Sequence, residues 1–261
     1  GYCGILPKSC ATIARILSYN GYVTGWWGKD HNTPDTHTSP AGPFTHWPTG
    51  LGFDYFYGFI GGETDQFYPA LVRNTVPVAA PAKPHEGYHL TTDLAEDCIR
   101  WMRTQKAIAP ERPFFVHFAP GAAHGPHQPP LGWRGRNAGR FEMGWDRYRD
   151  VVLARQLEMG VVAPGTRLTR RPAEIPAWDD FDSEERRLFQ RQIENFADFL
   201  EHTDYEVGRL VRALEDMGER DNTLFVYILG DNGSSAEGSL LGTINELAAM
   251  QGIVPPIESS L

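Results

Sequence analysis

Three short polar clusters carry residue types that could do chemistry: Gly28-Lys29-Asp30-His31, His124-Gly125-Pro126-His127 and Gly230-Asp231-Asn232-Gly233. Lys29 and His31 alternate, so an extended backbone puts both side chains on one face. A Lys is a point cation for an anionic oxygen, and a His binds an oxyanion or shuttles a proton. The plainer reading is a solvated Lys and an incidental loop His. Between His124 and His127 lies Pro126, which disfavours a helical zinc pair. The two rings can still face one pocket; otherwise they are surface histidines of a Pro-rich loop. Asp231 and Asn232 offer side-chain oxygen between glycines, a donor set suited to hard cations such as calcium or magnesium. Asp, Asn and Gly are also the commonest turn residues, so this tetrapeptide alone favours a plain turn.

Each cluster follows a run that reads as a strand. Tyr22 to Trp27 is short, aromatic and β-branched; Phe114 to Ala119 reads as a buried strand; Thr223 to Leu229 is the clearest strand in the chain. If these strands lie side by side, all three clusters meet at one rim. Helices are expected between them. Ser9 could cap the first, with Ile13, Ile16 and Leu17 as its apolar face and Asn20-Gly21 as its stop. Thr91 or Thr92 could cap the second, which buries Leu94, Cys98, Ile99 and Met102. A section from Phe141 to Gly160 reads as helical. Phe189, Ile193, Phe196, Leu200, Val207, Leu210 and Leu214 mark a long helix that Met217-Gly218 ends. Gly28 to Leu90 reads as one long ordered loop, and Pro120 to Trp178 as a second irregular stretch. Helices alternating with buried strands predict an α/β fold, a mainly parallel mixed sheet flanked by helices. Such sheets place their sites at the carboxyl ends of the strands.

Composition narrows the function classes. With 41% hydrophobic and 22% charged residues, the 261-residue chain can bury a sizeable core. A net charge of −9 argues against nucleic acid or an anionic membrane surface as partner. No apolar run is long enough to span a membrane. Cys3, Cys10 and Cys98 form neither a closed disulfide framework nor a CxxC zinc pair. The chain opens at Gly1-Tyr2-Cys3-Gly4 as if in mid-loop, with no initiator Met and no signal peptide. It reads as a fragment, so the lack of a signal peptide says nothing about destination.

Longer motifs point to one family. Gly21-Tyr22-Val23-Thr24-Gly25-Trp26-Trp27-Gly28-Lys29-Asp30-His31 resembles the Gly-Lys-Trp-His segment of sulfatases. Gly42-Pro43-Phe44, Trp47-Pro48-Thr49-Gly50-Leu51-Gly52-Phe53-Asp54 and Gly61-Gly62-Glu63-Thr64-Asp65-Gln66 resemble an arylsulfatase-like bacterial branch. So do Glu201-His202-Thr203-Asp204 and Gly230-Asp231-Asn232-Gly233-Ser234-Ser235. The resemblance runs from Leu6 to about Glu246; the tail from Met250 to Leu261 resembles nothing that can be placed.

The resemblance implies an alkaline-phosphatase-like sulfatase core, here incomplete, with residues 1–261 as part of its catalytic domain. It implies hydrolysis of a small organic sulfate ester with release of inorganic sulfate, one calcium ion, and a periplasmic or extracellular address. Asp231 and Asn232 match calcium ligands. Lys29 matches a lysine that binds the sulfate and the nucleophile's oxygen, and His31 a histidine that helps the covalent intermediate collapse. His124, in its His-x-Pro setting, matches the histidine that contacts the sulfate ester, with His127 as a further substrate contact. A dication, a Lys and histidines aimed at the equatorial and leaving oxygens would stabilise the charge that sulfuryl transfer builds.

Two departures stand out. Asp30 replaces the usual Trp between Lys and His, although alternation would turn it away from Lys29. The family's nucleophile is a formylglycine, made by a maturation enzyme from the Cys of a Cys-x-Pro-x-Arg motif. None of Cys3, Cys10 or Cys98 has that context. The nucleophile segment, the paired Asp metal ligands before it and a further substrate-binding Lys are expected outside this chain. The 261 residues alone are therefore expected to be inactive and to bind calcium weakly. The alternatives are a phosphate or phosphonate ester hydrolase of the same superfamily, and a degenerate module kept for binding.

Overall fold

Eight consecutive residues, Val23–Asp30, form strand β1, and all but one of them are buried. Continuous burial is what a strand covered on both faces requires. The structure is a computed structural model and describes residues 5–7, 9–230, 241–243, 249–253 and 256–257. The chain divides into two compact units, Gly1–Pro130 with Phe199–Ser234, and Leu131–Asp198 with Ser235–Leu261.

The first unit holds the sheet. Its other strands are β2 (Tyr55–Ile60), β3 (Val72–Arg73), β4 (Val76–Pro77) and β5 (Phe114–Ala119), in the order β4-β3-β2-β1-β5. β1 runs parallel to both β2 and β5, while β3 and β4 are antiparallel additions at one edge. The fold is thus a mixed α/β sheet that is parallel where it matters for a site. Side chains alternate cleanly. Trp27, Tyr57 and Phe59 pack on helix α2 (Leu90–Ile108) with Leu94, Cys98 and Met102, and with Leu210 and Leu214 of helix α4 (Ser183–Asp216). Trp26 and Phe56 face the other way, onto Trp47, Phe53 and Ala14 of helix α1 (Ile13–Tyr19). Under the first face Asp97 is buried and accepts from Trp27 Nε1 (2.9 Å), Tyr55 OH (2.7 Å) and the guanidinium of Arg73 (3.0 Å). One carboxylate thereby ties α2 to three neighbouring strands.

Two glycines set the spacing of the central strands. A Cβ on Gly58 would stand 1.9 Å from the Gly28 carbonyl oxygen, and one on Gly28 would stand 2.0 Å from that of Ala119. Gly28 also has φ +109°, a conformation that side chains strain to reach.

Several expectations are borne out. The buried face of α2, a helix within Phe141–Gly160 (α3, Gly144–Glu158) and the long helix ended by Gly218 (φ +70°) are all present, and Phe114–Ala119 is the strand β5, although it is half-buried rather than buried. Others are corrected. Thr12, not Ser9, caps α1, its hydroxyl accepting from Arg15 N–H. Ile13 and Ile16 are more than half exposed, because α1 buries only its Ala14 side. His89, not Thr91 or Thr92, caps α2. The stretch from Gly28 to Leu90 is not one loop: it contains β2, β3 and β4. Among the described residues Thr223 to Leu229 pairs with no strand, and Leu224 and Ile228 are 90% and 85% exposed. Strand preference expresses a fit to a pleated surface that neighbours supply, and no described neighbour supplies it here.

The second unit contains α3 and the first part of α4. Trp145 meets Trp178, Phe181 and Phe189 edge-on at 4.9–5.3 Å, the preferred aromatic geometry. Asp198 ties the preceding turn to the helix, accepting from Gly135 N–H (2.6 Å) and Asn137 N–H (2.9 Å). No helix among the described residues is long and apolar enough to cross a membrane.

Candidate active site

From β1 the chain steps to β2 on one side, and β5 later pairs on the other. The carboxyl ends of three parallel strands therefore share one rim at a point where strand order reverses, the place where open α/β sheets bind ligands. Register puts Asp30 beside Ile60, so the loops after β1 and β2 start level, and Gly28 beside Ala119, so the loop after β5 starts two residues lower on the same rim.

The loop after β1 is held by Asp30. Its side chain is fully buried and accepts from Asn32 N–H (2.9 Å) and the Thr33 hydroxyl (2.7 Å). Burial pushes its carboxyl above the ordinary value, against the pull of those bonds. The substitution for Trp thus points inward and folds the turn. Its carbonyl accepts from Gly61 N–H at 2.7 Å, which joins the β1 and β2 loops. Lys29 is half-buried at the strand end and His31 is exposed just beyond it. The His31 ring lies over Gly62, where an added Cβ would come within 3.1 Å of it. One residue further, Glu63 Oε2 stands 3.7 Å from His124 Nδ1, which also lies 3.0 Å from the Gly125 carbonyl. Both acceptors face Nδ1, so that nitrogen donates to them; Nε2 donates as well only where the ring is the imidazolium. His31 and His124 therefore flank one short loop, 61–63.

His127 departs from this picture. Its ring packs toward Phe199 of α4, centroids 6.5 Å apart. Asp231 and Asn232 lie outside the described residues, and so does Cys3. Among the described residues no three His, Cys, Asp or Glu side chains gather as a metal-holding group.

Four neighbours had no role assigned from sequence: Glu63, Asp65, His89 and Gln128. Glu63 and Asp65 belong to a motif legible in the chain, but nothing in the motif names their contacts. His89 is buried at the start of α2. Its Nδ1 accepts from Thr91 N–H (3.3 Å), so its proton sits on Nε2 and is donated to the Gln128 carbonyl (2.9 Å). Burial pushes its pKa down to about 4. His202, buried beside it, contacts the Thr92 hydroxyl (3.1 Å) and Glu206 (3.4 Å) and belongs to the α2–α4 contact.

A pH dependence follows from His89. Its folded pKa lies below the unfolded value, so the unfolded chain takes up the proton first as pH falls. Stability is therefore expected to decline from about pH 6.5 down to about pH 4, by on the order of 3 kcal/mol at about 1.4 kcal/mol per unit. Urea unfolding across that range should show a shallower decline for His89→Gln. Equal slopes would remove His89 as the cause.

Comparison with known proteins identifies the family. The family model described as Sulfatase matches residues 1–254. A sulfatase of Schizosaccharomyces pombe is 30% identical over 270 aligned residues, covering 99% of this chain and 46% of its own length. An arylsulfatase of Klebsiella aerogenes is 25% identical, covering 91% and 50% respectively. The chain thus spans about half the length of these curated relatives. Among solved structures, Ps i-CgsB in complex with k-i-k-neocarrahexaose matches with a TM-score of 0.50 and 22% identity, over 85% of this chain and 40% of that one. The shared fold is the alkaline-phosphatase-like fold of sulfatases. By these matches and by its sheet, the chain belongs to the Sulfatase family.

Proposed function

We propose that the full-length parent of this chain hydrolyses sulfate esters, releasing inorganic sulfate from a small organic ester. The observation that supports this most is the meeting of His31, His124 and the Lys29 strand end at the rim shared by β1, β2 and β5. Residues 1–261 then form part of a catalytic domain. Lys29 binds a sulfate oxygen as a fixed cation, and His31 and His124 orient the ester and hold protons at its oxygens. His127, packed behind them, makes a substrate-side contact or steadies the loop. Asp231 and Asn232 would hold part of a calcium site, whose oxygen-rich donor set they suit. Formylglycine, installed by a maturation enzyme, and the metal would supply the nucleophile and a Lewis acid. The family match does not favour the phosphate or phosphonate alternative.

The test is turnover of 4-nitrophenyl sulfate against 4-nitrophenyl phosphate by the full-length parent. Sulfate should be the better substrate, and Lys29→Ala should lower its turnover at least about tenfold, since one fixed charge at the developing anion is worth that much. A preference for phosphate, or full activity in the Lys29 variant, would overturn the reading.

A further inference from the structure

His124 lies in a loop that begins after Ala119, and such a loop holds a ring in one place only if something anchors it. The anchor is Gln128. Its side-chain oxygen accepts from Gln66 N–H at 2.8 Å, and its side-chain nitrogen donates to Asp65 Oδ2 at 2.9 Å. Its carbonyl accepts from the His89 Nε2–H at 2.9 Å. Both ends of that arrangement are themselves fixed. Asp65 Oδ1 accepts from Phe67 and Tyr68 N–H, each at 2.8 Å, and the Gln66 carbonyl accepts from Leu90 N–H at 2.8 Å. Burial pushes the Asp65 carboxyl up, but these bonds outweigh it and hold it below the usual range. The same 61–66 loop carries Gly62 under His31 and Glu63 beside His124.

We propose that Gln128 is the positioning residue of this rim, an amide clamp that locks the His124 loop onto the 61–66 loop and so fixes His124 relative to His31. The inference rests on the reading of this rim as the active site only for its kinetic consequence. An amide suits the task because both partners must be met at once: a backbone donor and a carboxylate acceptor. Neither an alkyl group nor a carboxylate can do both at neutral pH.

The titratable groups around Gln128 are Asp65 and His89 in direct contact, Glu63, His124 and His127 on the two loops, and His202 and Glu206 behind His89. In Gln128→Glu two carboxyls would stand at the 2.9 Å contact, and such a pair takes up a shared proton as pH falls. That proton restores the missing donor.

Three measurements on the full-length parent test the clamp. In hydrogen–deuterium exchange, Gln128→Ala should speed exchange in both the 61–68 and 120–130 segments. On 4-nitrophenyl sulfate it should lower kcat about 10- to 100-fold with KM within about threefold, as a displaced catalytic group does. Gln128→Glu should be equally slow at pH 8 and recover toward wild type, as a ratio, when the pH is lowered to 5.5. If Gln128→Ala does not fold, the near-isosteric Glu variant carries the exchange comparison at pH 8. Unchanged exchange in the two segments overturns the clamp, as does a kcat within twofold of wild type or a pH-independent Glu-to-wild-type ratio. If the parent turns over no sulfate ester, the functional reading fails instead, and the exchange result alone decides the clamp.

Discussion

Replacing His124 by Ala in the full-length parent is expected to lower sulfate-ester turnover about 100- to 1,000-fold, the usual cost of removing one preorganised donor at a developing charge. His127→Ala should cost far less. The two rings share a loop, yet they meet different surroundings. His124 stands beside Glu63 at the rim, with its Nδ1 proton held toward the Gly125 carbonyl. His127 packs toward Phe199, so its removal loosens packing rather than withdrawing a group from the reacting atoms. The two losses should also differ in kind: kcat for His124, stability or KM for His127. Paired kinetics of the two alanine variants on one substrate decide the matter. Equal losses, or a larger loss at His127, would mean that the wrong histidine had been assigned.

How much of this was legible in the chain follows a physical pattern. Elements whose signal is local and repeated were readable: the buried face of α2, the long periodic α4, and the aromatic runs of β1 and β5. β2 was not, although Tyr55-Phe56-Tyr57-Gly58-Phe59-Ile60 has the residues of a strand. Its Gly58 reads as a loop residue until one sees that a Cβ there would stand 1.9 Å from the Gly28 carbonyl oxygen, a demand made by the partner strand. Thr223 to Leu229 failed in the opposite direction. It has the strongest local preference in the chain, and pairing is what local preference cannot supply on its own. At the rim, charged and ring residues could be picked out by type. The amides and carboxylates that hold them could not, because Gln128, Asp65 and His89 act through contacts between residues more than 20 positions apart in the chain, such as Gln66 with Gln128.

The inward turn of Asp30 has the same origin. A carboxylate between Lys29 and His31 looks like a flaw in an anion site when read along the chain. In space it is fully buried, bound to Asn32 and Thr33, and its carbonyl joins the β2 loop through Gly61. Asp30 thus shapes the rim through a hydrogen-bonded turn.

Gly28→Ala is expected to be the most damaging single methyl group that could be added to the rim. The residue holds φ +109°, and its new Cβ would lie 2.0 Å from the Ala119 carbonyl oxygen and 2.6 Å from its carbon. Neither atom can move aside, since both belong to the backbone of the paired strand β5. Strain at such a φ costs about 1–3 kcal/mol, and overpacking a close contact costs about 1–3 kcal/mol more. A combined loss of about 4 kcal/mol would be a large fraction of a domain's stability of roughly 5–15 kcal/mol. Relief by parting β1 from β5 would carry Lys29 away from the His124 loop, so activity should fall along with the urea midpoint. The control is Gly61→Ala, where the φ is also positive (+127°) but nothing lies within 4 Å of the added carbon. It should show the strain without the clash, and so the smaller loss. A Gly28→Ala midpoint no lower than that of Gly61→Ala would show that β1 and β5 do not approach as closely as their register requires.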